Sequence, residues 1–212
     1  MFGFEGLGSI YWHMVSKLLL TVQECYFSAL EVEADAGTCA RLAEFYYRVR
    51  AGIGFNKTPA EYGAFPADPY SHTPGHIGAQ QPGMTGQVKE EVLARFGELG
   101  VRVADGSVSF FPGLLRAREF TAEPLPFRYL DVEGQWRELA VPAAGLAYTW
   151  CQVPLVYQLR ESAAPSVTVH WHNGEETVLP SLQLPQDIAS ELFQRTGNIA
   201  SIKLVLAGDL LF

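Results

Sequence analysis

Basic residues are scarce in this chain of 212 residues: 15 Lys and Arg stand against 23 Asp and Glu, for a net charge of −8. No run of Lys and Arg occurs, so nothing meets a phosphate backbone, and neither a nucleic acid nor an anionic membrane is an expected partner. Long apolar runs are missing too. Leu18-Leu19-Leu20-Thr21-Val22 is the longest in the first predicted helix, far short of the roughly 20 residues that span a bilayer. The chain opens on Glu5 and an aromatic-rich GSIYWHM stretch instead of a basic start and a cleavage site, so no secretory signal is read. Cysteine is sparse. Cys25, Cys39 and Cys151 make an odd set without CxxC spacing, which predicts reduced, buried thiols and a cytoplasmic setting. No Gly-x-Ser-x-Gly elbow and no Gly-Lys-Ser/Thr after a glycine loop occur, so that hydrolase nucleophile and the P-loop are both lacking.

What remains is a globular composition, with 48% hydrophobic and 18% charged residues. Ser9 is a predicted N-cap for a helix from Ile10 to Val32. Its apolar set Tyr11, Met14, Val15, Leu18, Val22, Cys25, Tyr26 and Ala29 recurs every three or four residues, and Leu19, Leu20 and Phe27 widen the stripe. A helix apolar on more than one side has neighbours on more than one side. Asp35 to Thr38 reads as a turn and cap before a second helix, Cys39 to Ala51, with Leu42, Phe45, Tyr46 and Val49 inward and Gly52 as its stop. Pro82 opens a third, with Val88, Val92, Leu93 and Phe96 inward and Lys89, Glu90, Glu91 and Arg95 outward.

After Gly100 the texture turns to strands. Val101 to Val103 and Val108 to Phe111 flank an Asp105-Gly106 hairpin turn. Further strands are predicted at 127–132, 136–141, 146–150, 153–159, 167–172 and 199–206, with one short helix near 186–195. The expected fold class is α+β: a helical hairpin plus third helix over 1–98, then an antiparallel, β-sandwich-like tail over 99–212.

Polar chemistry concentrates in three places. Tyr11-Trp12-His13 puts aromatic faces beside a polar ring, the pairing that sugars use, although Tyr11 also belongs to the apolar stripe. The stretch 53–81 holds no helix or strand period and carries Tyr70, His72, His76, Gln80 and Gln81 among four prolines and four glycines. It is either a functional loop or an ordinary connector. His72 and His76 are four apart, but Pro69, Pro74 and Gly75 argue against the helix a metal pair would need, so no metal site is expected. Gln81-Pro-Gly-Met-Thr85-Gly86 leads into the third helix and reads either as an anion-binding helix start or as plain capping.

These features together resemble the end of the six-hairpin glycosidases, most nearly the cellobiose and chitobiose phosphorylase-type family. Gly8-Ser-Ile-Tyr-Trp-His13 is similar to a Gly-Ile-Phe-Cys-His stretch that opens one of its last barrel helices, with Trp12 in place of the Cys. Gln81-Pro-Gly-Met-Thr-Gly86 is similar to its Ser-Trp-Leu-Thr-Gly segment, with Gln81-Pro82 in place of Ser-Trp. Gly100-Val-Arg-Val-Ala-Asp-Gly-Ser-Val108 follows the hairpin that begins its β-rich tail. The resemblance spans about residues 6 to 112 and implies an (α/α)6 barrel whose general acid lies in an earlier hairpin.

By that resemblance Tyr11, Trp12, His13, Tyr70, His72, His76, Gln80 and Gln81 line an oligosaccharide site, with His13, Thr85 and Gly86 at a phosphate. No cofactor is implied. Twelve barrel helices need roughly 200 residues, and the first 98 supply three, so the rest of the barrel is expected upstream of Met1. The alternative is a non-catalytic carbohydrate-binding or scaffold module, in which the helices only buttress the tail.

Overall fold

The computed structural model describes residues 7–53, 88–208 and 211–212, with side chains from Met14 in the first stretch and from Lys89 in the second. It is a mixed α+β protein that divides into two compact units, 1–96 and 97–212.

In the first unit α1 runs from Leu7 to Glu31 and α2 from Ala36 to Gly52. The sequence pattern predicts a start after Ser9, but the helix already includes Gly8 and Ser9, whose low propensity is a weak deterrent. Ser9 is therefore not the N-cap. Between the two helices, Glu33 adopts a left-handed conformation at φ 55°. Its N–H bonds to Leu30 C=O at 3.1 Å and that of Ala34 to Ala29 C=O at 2.9 Å, closing the α1 terminus as a Schellman motif. Asp35 then caps α2, accepting from the Thr38 N–H at 3.0 Å and from the Thr38 hydroxyl at 2.6 Å. The chain reverses in four residues, and the helices pack as an antiparallel pair.

The inward faces differ from the expected ones. On α1 the buried side is Ser16, Leu19, Gln23, Tyr26, Phe27 and Ala29, while Met14 is 61% and Leu18 51% exposed and Cys25 also faces outward. A helix that is apolar around much of its girth fixes no unique phase, so its partners select the side that packs. On α2 the buried residues are Ala43, Tyr46 and Tyr47, with Phe45 outside under the Arg48 guanidinium at 5.4 Å. The third helix, α3, spans Val88 to Glu98. Its Val92 and Leu93 are exposed and Glu90 is buried beside Ala94, the reverse of the expected assignment. Lys89 Nζ lies 3.6 Å from the Glu90 carboxylate. An apolar count cannot foresee a buried charge that has a partner. Gln23 joins all three helices: its amide donates to Ala94 C=O at 2.8 Å and to the Tyr46 hydroxyl at 3.4 Å.

In the second unit, Gly100 takes φ 74° just after the end of α3. A Cβ there would stand 2.1 Å from the Phe111 carbonyl carbon, so only glycine fits. Strands β1 (Val101–Ala104) and β2 (Ser107–Phe110) form the expected hairpin, with Asp105 and Gly106 both at positive φ as a type I′ turn demands. Then come a 3-10 turn at Ala117–Glu119 and strands β3 (Leu125–Leu130), β4 (Trp136–Val141), β5 (Gly145–Trp150), β6 (Val153–Leu159) and β7 (Ser166–Trp171). Strands β8 (Glu176–Leu179) and β9 (Gln183–Leu184), helix α4 (Gln186–Gln194) and β10 (Ile199–Leu206) complete the unit.

The main sheet has the order β5-β6-β10-β7-β8, β9 joins β2 beside β1, and β3-β4 stand as a two-stranded hairpin. One pairing departs from the expected antiparallel pattern: β10 lies parallel to β6. It returns to the sheet through α4 and slots between two hairpins, as a crossover requires. Leu155, Tyr157, Val167, Val169, Ile202 and Leu204 of the sheet share a core with Val108, Phe110 and Leu184 and with Ile188, Ala189 and Leu192 of α4. Among the described residues no helix is long and apolar enough to cross a membrane. All three cysteines are free, but the expected burial fails: Cys25 is exposed, and Cys39 and Cys151 are only half-buried.

Candidate functional site

Tyr11, Trp12 and His13 lie on α1 by their backbone, with side chains outside the described residues. Tyr70, His72, His76, Gln80, Gln81, Thr85 and Gly86 also fall outside them. Among the described residues no group of three His, Cys, Asp or Glu side chains could hold a metal ion.

The described chemistry gathers instead at one end of the main sheet. Strand β7 runs to Trp171 and turns through His172, Asn173 and Gly174 into β8. Trp171 N–H bonds to Glu175 C=O at 2.9 Å, Gly174 N–H bonds back to Trp171 C=O at 3.0 Å, and Gly174 takes φ 88°. This is a three-residue hairpin loop in which the third position needs the left-handed region, hence the glycine. Asn173 locks it, accepting from the Glu175 N–H and donating to the Glu175 carboxylate, both at 2.9 Å.

Across from this turn, α4 ends on Arg195 in a left-handed conformation at φ 51°. The following Thr196 and Asn198 fold back on Glu191, which accepts from the Thr196 hydroxyl at 2.5 Å and the Asn198 amide at 2.8 Å. Those two hydrogen bonds hold the Glu191 carboxyl below the usual carboxylate range. His172 N–H donates to Asn198 C=O at 2.9 Å and fastens the turn to the loop.

Between them lies an open groove of 340 Å³ lined by Trp171, His172, Asn173, Glu175, Glu191 and Asn198. The Trp171 indole N–H is taken by the Thr177 hydroxyl at 2.9 Å, so the ring offers the groove only carbon surface. Two fixed carboxylates, two amides, one imidazole and an indole can bind a small polar ligand. Paired carboxylates also serve hydrolysis of a glycoside, but the Thr196 and Asn198 hydrogen bonds to one oxygen of Glu191 favour its charged form, the opposite of what a proton donor needs.

No protein-family model matches the chain, and a search of curated proteins finds no relative.

The β3-β4 hairpin presents a second surface of different character. Trp136 is 64% exposed, with the Arg128 guanidinium 5.3 Å from its ring centre, and Leu130 pairs with it across the strands. Asp131 pins the hairpin's own turn, taking the Arg137 guanidinium at 2.7 Å and the Gln135 and Glu133 N–H groups at 2.8 and 3.0 Å. The Arg137 bond, then those from the backbone, hold the Asp131 carboxyl below its ordinary value.

Nothing in the sequence pattern singles out the groove residues, because the turn and the loop are about two dozen residues apart and each reads alone as an ordinary turn. The available signal was Trp171-His172-Asn173-Gly174: an aromatic, an imidazole and an amide delivered together at a hairpin tip.

Proposed function

We propose that this chain is the C-terminal part of a cytoplasmic carbohydrate-active enzyme, a glycosidase or glycoside phosphorylase acting on oligosaccharides. Its helices α1 to α3 belong to the wall of a six-hairpin (α/α)6 barrel, and its sandwich-like β-rich unit caps the protein without catalysing the reaction. The observation that carries this reading is the uncovered edge of α1. Met14 and Leu18 are apolar, one turn apart and more than half exposed, while the opposite edge buries Leu19, Tyr26 and Phe27. A helix with apolar residues on both edges suits a position between neighbours on both sides. The order of motifs along the chain, from Gly8–His13 to Gln81–Gly86 to the Asp105-Gly106 hairpin, supports the same family.

In this reading His13, Thr85 and Gly86 hold phosphate, Tyr11, Trp12, Tyr70, His72, His76, Gln80 and Gln81 line the sugar site, and the general acid comes from the preceding part of the barrel. The test is oligosaccharide turnover, with and without inorganic phosphate, by a protein that carries the region encoded upstream of Met1. Phosphate-dependent release of a sugar 1-phosphate, or hydrolysis without it, abolished by His13→Ala with His72→Ala, is the expected result. An upstream region without further helical hairpins, or turnover indifferent to both substitutions, overturns the proposal.

A second reading, a non-catalytic carbohydrate-binding module, is favoured by one observation of its own. The groove beside Trp171 combines an indole face with carboxylate and amide side chains within the second unit alone.

A further inference from the structure

The groove at the end of β7 has chemistry that selects among ligands. Its acceptors are the Glu175 and Glu191 carboxylates, its mixed donor–acceptors are the Asn173 and Asn198 amides, and its apolar surface is the Trp171 ring. Neither Lys nor Arg lines it. An anion would face two carboxylates with no fixed countercharge. A purely apolar ligand would strip water from those carboxylates and return no hydrogen bonds. A neutral polyol meets every demand: its hydroxyls donate to the carboxylates and accept from the amides, and its C–H face lies on an indole whose N–H is already engaged.

The polar atoms are also fixed before any ligand arrives. Asn173 and Glu175 hold each other, and Thr196 and Asn198 hold Glu191. Binding then loses little side-chain freedom. The volume of 340 Å³ is at the low end of the ~300–1,000 Å³ typical of small-molecule sites, which suits the end of a saccharide and not a length of buried chain.

We propose that this groove is a binding site for a neutral saccharide terminus. The class of ligand rests partly on the carbohydrate reading above; the location and the exclusion of anions rest on the groove itself. The site would hold one end of an oligosaccharide to the β-rich unit and raise its local concentration at the enzyme.

The experiment is a titration of the whole 15N-labelled chain, followed at the Trp171 indole N–H and the Asn198 side-chain amide. Cellobiose, N,N′-diacetylchitobiose and maltose serve as neutral probes, glucose 1-phosphate as an anion and spermidine as a cation. At least one neutral disaccharide should shift both resonances saturably, and glucose 1-phosphate should bind there at least about tenfold more weakly. Glu175→Ala and Asn173→Ala, both at an exposed turn, should each weaken the disaccharide by about tenfold, as loss of a charged or paired hydrogen bond does. Glu191→Gln keeps the shape and should weaken it less. No shift with any of the three sugars, shifts with spermidine alone, or sugar shifts indifferent to Glu175→Ala and Asn173→Ala overturn the proposal. Turnover by the longer protein is a separate readout, so failure of the groove and failure of the enzyme reading are told apart.

Discussion

Arg195 donates from Nη1 to Oε1 of Gln152 at 2.6 Å, joining the end of α4 to the β5-β6 turn across 43 residues of chain. The Gln152 amide also donates to the Asp131 carbonyl at 2.8 Å, so one side chain ties together two hairpin turns and the helix terminus that carries the groove's Asn198. Both Gln152 and its neighbour Cys151 sit at positive φ, 66° and 50°, where a type I′ turn prefers Asn and Gly. Gln152→Ala should therefore destabilise the second unit by about 1–2 kcal/mol, the loss of two hydrogen bonds. Gln152→Gly loses the same bonds but relaxes the left-handed backbone, and should be milder by about 1 kcal/mol. Denaturant unfolding of the two variants measures the difference; equal effects would remove the backbone contribution.

Glu33 occupies the left-handed position that closes α1. Glu33→Gly should keep both closing hydrogen bonds and stabilise the helical unit by about 1 kcal/mol, the cost of that conformation for a residue with a Cβ. A rise in the melting temperature followed at a helical circular-dichroism wavelength is the check.

Gln23 is buried and bonded to Ala94 and Tyr46. Gln23→Ala should cost about 1–3 kcal/mol, because a cavity forms and the Tyr46 hydroxyl loses a partner. Gln23→Leu fills the space and should recover part of it. Hydrogen exchange at α3 amides should accelerate in both, since the bridge to Ala94 is gone.

Three carboxylates should make the stability of the fold decline in acid. Hydrogen bonds hold Asp35, Asp131 and Glu191 below their ordinary 3.8, 3.8 and 4.5. A carboxyl lowered in the folded state stabilises it fully above the unfolded value, and that contribution fades as pH falls through the lowered folded value. Carboxyl carbon titrations should show all three still ionised where ordinary carboxyls are half-protonated. Burial pushes Glu91 the other way. Its charged form opposes folding above the ordinary carboxylate range, so Glu91→Gln should raise stability at neutral pH and do little in acid.

At the uncovered edge of α1, Met14→Lys with Leu18→Lys should leave the helical signal and melting temperature of this chain nearly unchanged, since both residues are more than half exposed. In a protein that includes the proposed remainder of the barrel, the same pair should destabilise by several kcal/mol, as buried unpaired charges do. Equal, small effects in both would place this edge in water.

Strand positions were legible wherever local rules act alone. Asp105-Gly106 marks its turn because few other pairs accept two positive φ angles, and Val153 to Leu159 reads as a strand because its apolar run ends in turn residues. Helix faces were less legible: Leu18 and Leu19 are equally apolar, yet one is exposed and the other buried, a choice made by α2 and α3 and not by α1. Strands β8 and β9 escaped because Glu176–Leu179 and Gln183–Leu184 are too short to show a period. The groove escaped for a different reason. Glu191 and Asn198 look like surface polar residues until β10 enters the sheet beside β7 and sets them opposite His172.

That late entry governs how the β-rich unit comes into being. Until Ile199 to Leu206 leaves the ribosome, the β5-β6 and β7-β8 hairpins share no hydrogen bond, and each keeps an unsatisfied inner border. Nascent chains arrested before Ile199 should remain loosely collapsed and bound by chaperones, then snap into a protease-resistant form once the final strand closes the seam.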